Sequence, residues 1–442
     1  MTEYPRWLWA KLNSNYWFYP ALFSVIAALL ALGLVWVDRN GLAEFLNGVD
    51  WIIPARPQGA SNMLTVIAGS MIGVASTVFS ITIAAVAYAS GAYGPRLLTN
   101  FMEDKGNQLS LATFISTFVY ALVVLRAVRR EDEISPTAAD AAATSLPGFV
   151  PQLSLLVGLG LMAASIGVLV FFLNHIPASI RINTVLEGIG KRLLKGIEET
   201  YPEQDKGLPV TNSPGGIPVL ADRTGYVQLI AFESLARLAR KSEGRVALSV
   251  RTGDFVHPGM AIAELCDVDL TDELAEDLRD KFTFGATRTP EQDLQFLIDE
   301  LVEIGLMALS PGINDPFTAI TALHWLGAGT ALLGTRDLNK NIGEEDDAAL
   351  KGLVAPLPDD FNHYLKRGFG NFRSAAATSP TAALVMLDTL RNCAAPIDNE
   401  TRKAALHQEG ERLIQQVRQH LSGPDLEDVE ARFVGFSRAM AG

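Results

Sequence analysis

The segment Ala308-Leu-Ser-Pro-Gly-Ile-Asn-Asp-Pro-Phe-Thr-Ala319 gathers residue types that can hold a small ligand or a hard cation. Asn314 and Asp315 supply side-chain oxygens. Asp299 and Glu303, four residues apart in the preceding helical pattern, can add two carboxylates from one helix face. All-oxygen donor sets suit Mg²⁺ or Ca²⁺, although the metal, if any, is not identified by the sequence. The same residues also describe a rigid corner between two helices. Pro311 and Pro316 fix φ and Gly312 permits a positive φ, while Asp315 reads as an N-cap with Pro316 at the first helical position.

A second constellation is Ser76, Thr77, Ser80 and Thr82, in an otherwise apolar run. Hydroxyls there can line a pore or cavity. Gly69-xxx-Gly73 and Ser76-xxx-Ser80-xxx-Ala84 equally allow close packing of helices. No catalytic residue can be assigned. The six histidines, His175, His257, His324, His363, His407 and His420, form no HExxH or Ser/His/Asp arrangement. His175, near Arg181, reads as an interfacial residue or a proton sensor. Cys266 and Cys393 belong to no CxxC or Cys/His cluster, so neither a disulfide framework nor a zinc site is indicated. Gly158-x-Gly160-x-x-Ala163 lacks the preceding strand that a dinucleotide fingerprint requires. No cofactor is indicated.

The elements that must position these residues begin with four charge-free stretches. No Asp, Glu, Lys or Arg occurs in 18–37, 57–95, 106–125 or 141–180. A hydrocarbon core about 30 Å thick needs about 20 apolar helical residues, so spans are expected near 17–37, 63–88, 109–127 and 153–174. The first is too long for a signal-peptide core and ends without a small-x-small site, so it reads as an uncleaved span. Tyr16, Trp17, Tyr19 and Trp36 are placed like interfacial anchors. Arg6, Lys11, Arg96, Lys105, Arg181, Lys191, Arg192 and Lys195 fall on one side of such a four-span arrangement, which puts both termini in the cytoplasm. Arg126, Arg129 and Arg130 on the other side run against that rule.

The expected organisation is a transmembrane domain over 1–180, a linker helix and loop over 181–216, a small β-rich module over 217–285 and a helical domain over 286–442. The fold class is thus an α-helical membrane domain with four transmembrane helices, followed by a soluble α+β half. A formal net charge of −13 argues against a nucleic-acid partner. Within 245–265, alternating Val246, Leu248 and Val250 with Gly253-Asp254 and Gly259 predict short strands and tight turns. This run resembles a half-motif of the barrel-sandwich hybrid fold. No lysine lies between Lys241 and Lys281, so a swinging-arm cofactor carrier is excluded.

Ser310-Pro-Gly-Ile-Asn-Asp-Pro316, with Phe79-Ser-Ile-Thr-Ile83, Gly94-Pro-Arg-Leu-Leu98 and Gly253-Asp-Phe-Val256 in the same order, resembles the bacterial membrane proteins grouped as domain of unknown function 2254. The resemblance implies a multi-span inner-membrane protein and brings no catalytic residues. Three function classes stay open. The first is a homo-oligomeric channel or passive transport protein with a cytoplasmic regulatory half. The second is a membrane-anchored scaffold or sensor for a ligand or partner protein. The third is an enzyme, which the lack of a nucleophile–base pair disfavours. The apolar cores of the four spans carry no Asp, Glu, Lys, Arg or His, which argues against a proton pump.

Overall fold

The structure, a computed structural model, describes residues 15–41, 55–94, 104–129, 148–201, 215–290, 292–338, 350 and 352–440. They fall into two compact units, one reaching Arg181 and the other starting at Ile182. Of the motif Gly94–Leu98, only Gly94 lies among the described residues, and of the charges used for orientation Arg6, Lys11, Arg96 and Arg130 lie outside them.

The first unit is a bundle of α1 (Phe18–Arg39), α2 (Pro57–Tyr93), α3 (Lys105–Ala127) and α4 (Gln152–Ser179). Each follows one charge-free stretch. The bounds extend past the expected spans for local reasons. Pro57 takes the first position of α2, where its missing N–H costs nothing. Asp104 caps α3, its carboxylate accepting Asn107 N at 3.0 Å. In α4 the helix runs on through Pro177 in its last turn. Leu64 and Ile67 of α2, Phe114 and Tyr120 of α3 and Phe172 of α4 are fully buried between the helices. Val25, Leu29 and Leu32 of α1 and Val170 and Leu173 of α4 point outward. Apolar side chains on the inside and outside alike are what a lipid-facing bundle requires.

The second unit opens with α5 (Ile182–Thr200), followed by β1 (Ile217–Leu220), β2 (Gly225–Ile230), α6 (Phe232–Lys241), β3 (Arg245–Leu248), β4 (Phe255–Val256), β5 (Ala261–Cys266), α7 (Asp272–Arg279) and β6 (Phe282–Gly285). Helices α8 (Leu294–Ala308) and α9 (Pro316–Thr335) come next, then β7 (Val354–Ala355), α10 (Phe361–Leu365), a π-helical turn at Lys366–Gly370, and α11 (Asn371–Ala376), α12 (Pro380–Ala394), α13 (Glu400–His420) and α14 (Pro424–Met440). One sheet has the order β1-β5-β3-β7 and the other β4-β2-β6. Val246, Leu248 and Val250 all point into the core between them, with Val227, Val256 and Ile262. β7 pairs parallel to β3, so the first sheet takes a strand from a segment read in sequence as helical. α7, with Thr271 as its N-cap, was not expected among the strands.

Among the described residues five helices are long and apolar enough to cross a membrane: α1 to α4, and α9. The sequence reading named only the first four. α9 packs against α5, α8 and α12. Its alignment with α5 is parallel, since Trp325 covers Gly190, Gly329 meets Leu193 and Ile197, and Arg336 donates to Tyr201 O at 3.3 Å. Its last turn is closed by Arg402, whose Nη1 donates to Leu333 O, Gly334 O and Arg336 O at 3.3, 2.9 and 2.8 Å.

The Trp325 ring leaves no room for a side chain at Gly190, while Gly188 faces open space. Gly190→Val is expected to cost about 1–3 kcal/mol by overpacking. Gly188→Ala is expected to stabilise by up to about 1 kcal/mol through helix propensity. Thermal unfolding of the two variants in detergent, followed by circular dichroism, should move in opposite directions.

Candidate functional site

The corner between α8 and α9 is built from backbone turns. Ile313 N and Asn314 N donate to Ser310 O at 3.1 and 2.9 Å, and Asp315 N donates to Ala308 O at 2.7 Å. Asn314 sits at φ 49°, a left-handed conformation that Asn tolerates better than most residues. Asp315 is the N-cap of α9, as its spacing to Pro316 predicts. Its carboxylate accepts Thr318 N at 3.2 Å and Thr318 Oγ1 at 2.6 Å. Asn314 is exposed at the tip. Asp299 lies nine residues before the end of α8, roughly 13 Å away along the helix at 1.5 Å per residue. Glu303, half-buried, lies between the two levels. The four oxygen-bearing residues are thus spread along α8 and the corner. Among the described residues no group of three or more His, Cys, Asp and Glu is placed to hold a metal ion.

Asp299 belongs instead to a buried ionic ladder that the sequence reading missed. Arg288 Nη1 donates to Asp299 Oδ2 at 2.6 Å, and Arg288 Nη2 to Asp293 Oδ2 at 2.5 Å. Arg367, on the π-helical turn, donates from Nε to Asp299 Oδ1 at 2.7 Å and from Nη1 to Gln295 Oε1 at 2.6 Å. Burial pushes the Asp299 carboxyl up, but Arg367 and Arg288 outweigh it and hold the group below the usual carboxylate range. The turn after β3 reaches the same ladder. Gly253 has φ 90° and approaches Asp293 so closely that a Cβ would collide with its carboxylate. Beside it, Arg251 Nε donates to Asp359 Oδ1 at 3.1 Å, and Tyr201 Oη donates to Asp359 Oδ2 at 2.5 Å. Burial raises the Tyr201 and Tyr364 phenols, whose oxygens lie 2.7 Å apart. The ladder therefore ties the β module to α5, α8 and the π-helical turn. The signal that could have found it is Gly253-Asp254 together with Asp293 as an N-cap, whose carboxylate accepts Phe296 N at 3.0 Å. The arginine partners are too distant in sequence to be read from spacing.

In the bundle, Ser76, Thr77 and Ser80 lie on the outward face of α2, whereas Thr82 is buried on the inward side. Thr77 Oγ1 donates to Gly73 O at 3.1 Å and Ser80 Oγ to Ser76 O at 2.9 Å. Thr82 Oγ1 donates to Val78 O at 2.9 Å. Each hydroxyl proton is thereby satisfied within the helix. Gly69 and Gly73 open onto empty space on the same face. His175, at the other end of α4 from Gln152, places Nε2 2.9 and 3.0 Å from the two oxygens of Asp104. It is thus a partner of the α3 cap.

Residues 13–392 match the model of the family described as predicted membrane protein, DUF2254. The chain belongs to this family. The match takes in all four bundle helices, the β module, the ionic ladder and the α8–α9 corner. The chain is also similar to an uncharacterised protein of Mycobacterium tuberculosis and to another of Mycobacterium bovis. Each is 29% identical over 405 residues, covering 81% of this chain and 75% of the relative. No solved structure matches it.

Asp299→Asn takes from Arg367 the carboxylate it is paired with and leaves Arg288 with Asp293 alone. A loss of about 3–5 kcal/mol in urea-induced unfolding is expected, the range for breaking a buried ion pair from one side. Because the folded Asp299 carboxyl sits below its ordinary value, its contribution is complete above the unfolded carboxylate pKa of about 4 and fades as pH falls through the lower folded value. The gap between parent and Asp299→Asn should therefore close on acidification.

Proposed function

We propose that this protein crosses the bacterial inner membrane four times, with α1 to α4, keeps both termini and its C-terminal half in the cytoplasm, and assembles as a homo-oligomer whose α2 helices line a passive channel. The observation that carries this reading is the outward face of α2, where Gly69, Gly73, Ser76, Thr77 and Ser80 form a small and polar strip between exposed Val66, Ile72, Phe79 and Ile83. Small residues let a neighbouring helix approach closely. The interior of one bundle is filled by Leu64, Ile67, Phe114, Tyr120 and Phe172, so a route for solute must form between copies.

The chemistry of that face narrows the permeant. Thr77 and Ser80 give their protons to their own helix and present only lone pairs outward, a lining that favours cations over anions. With Thr82 buried, the lining falls to Ser76, Thr77 and Ser80. A fifth span through α9 is disfavoured by its neighbour α5, which carries Glu187, Lys191, Arg192, Lys195, Glu198 and Glu199. A Lys or Arg at the bilayer centre costs about 2.5–3.5 kcal/mol. The second reading, a membrane-anchored scaffold or sensor, draws on the ladder that fixes the β module to the helices.

Proteoliposomes loaded with potassium chloride test the channel. The parent protein should release K⁺ faster than Cl⁻, and Ser80→Leu should abolish the K⁺ flux while its circular dichroism and melting temperature stay unchanged. Absence of flux above protein-free vesicles would overturn the channel and leave the scaffold reading.

A further inference from the structure

Phe317, at the start of α9, is 73% exposed, more than any other large hydrophobic side chain among the described residues, and Ile313 at the preceding tip is 43% exposed. An aromatic ring left in water forfeits about 25 cal/mol per Å² of its apolar surface. The corner that carries the two side chains is rigid: five backbone and side-chain bonds around Ser310 and Asp315 hold it, and it contains prolines at positions 311 and 316. The pair is thus presented rather than merely left loose.

The location of this tip follows from the register of α9 on α5. Trp325 covers Gly190, Gly329 meets Leu193 and Ile197, and Arg336 reaches Tyr201. The contact positions advance together, so the two helices run parallel. Phe317 lies eight residues before Trp325, and Ile182 lies eight before Gly190. Phe317 is therefore level with the first residue of α5, and Ile313 projects further back toward the chain that enters it. Only Ile180 and Arg181 separate α5 from the end of α4. The start of α5 is held by that short tether where α4 leaves the hydrocarbon. Aromatic and aliphatic side chains at such a level partition into the headgroup boundary.

We infer that Ile313 and Phe317 form a membrane-docking tip, whose two apolar side chains insert into the lipid interface. The inference rests on α4 spanning the membrane, and the test separates the two. Spin labels are attached to Phe317→Cys, Ile313→Cys, Thr335→Cys and Val170→Cys in the full chain, reconstituted in phosphatidylethanolamine and phosphatidylglycerol vesicles. The parent, whose Cys266 and Cys393 are buried, supplies the background. Collision with oxygen, which concentrates in lipid, is compared with collision with a water-soluble nickel chelate.

Labels at 313 and 317 are expected to favour oxygen, as the label at 170 on the outward face of α4 does, and the label at 335 to favour nickel. Nickel access at 317 equal to that at 335, with 170 still oxygen-rich, overturns the docking and leaves the span. Shielding from both reagents at 317 also overturns it, because the tip would then be covered by protein, a second copy included. Nickel access at 170 removes the span itself.

Discussion

The start of α4 is the constraint on which the arrangement of the bundle depends. The first amides of a helix have no partner within it, and in hydrocarbon no water replaces one. Asp38, at the end of α1, supplies the missing acceptor. Leu153 N and Ser154 N donate to its two oxygens at 3.1 and 2.9 Å, and Ser154 Oγ adds a bond at 2.7 Å. Bonds to a charged acceptor of this kind are about twice as strong as neutral ones. Once α4 is fixed there, its first turn gathers the other helices. Tyr120 Oη donates to Ser154 O at 2.8 Å, and the Gln152 amide exchanges two bonds with Ala55 at 3.2 Å. The end of α1, the residue Ala55 that leads into α2, and Tyr120 of α3 therefore all bond the first turn of α4.

The second unit answers the same physical problem differently. Its charges are buried in pairs rather than excluded. Asp299 lies between Arg288 and Arg367 and so joins a loop, α8 and the π-helical turn, while Gly253 lets the β module close onto the same carboxylates. A π turn inserts one residue into a helix and re-aims the side chains that follow. Here it carries Arg367, whose fork reaches Asp299 and Gln295 together. Buried pairs of this type add little net stability but fix geometry, because any other alignment leaves a charge unpaired.

Much of this was legible in the sequence, and the pattern of success is physical. Charge-free stretches gave all four bundle helices, since exclusion of charge from hydrocarbon is a local rule. Asp315-Pro316 marked the start of α9 because capping is settled within four residues. Val246, Leu248 and Val250 showed the buried face of β3 through their period of two. What could not be read were contacts between distant segments. Asp299 and Glu303 share a helix and looked like paired oxygen donors, yet Asp299 bonds an arginine 68 positions further on. β7 was invisible because two residues carry no period. Thr82, grouped by sequence with Ser76, Thr77 and Ser80, falls on the inward face, a distinction that helix rotation alone decides.

The central claim is that the outward face of α2 meets the same face of other copies. Light scattering on the protein purified in detergent, with the detergent mass subtracted, tests it most directly. The account predicts a single species whose protein mass is at least twice the 47.7 kDa of one chain and which breaks down when Gly73 and Ser80 are enlarged. A monodisperse particle at the mass of one chain would contradict it.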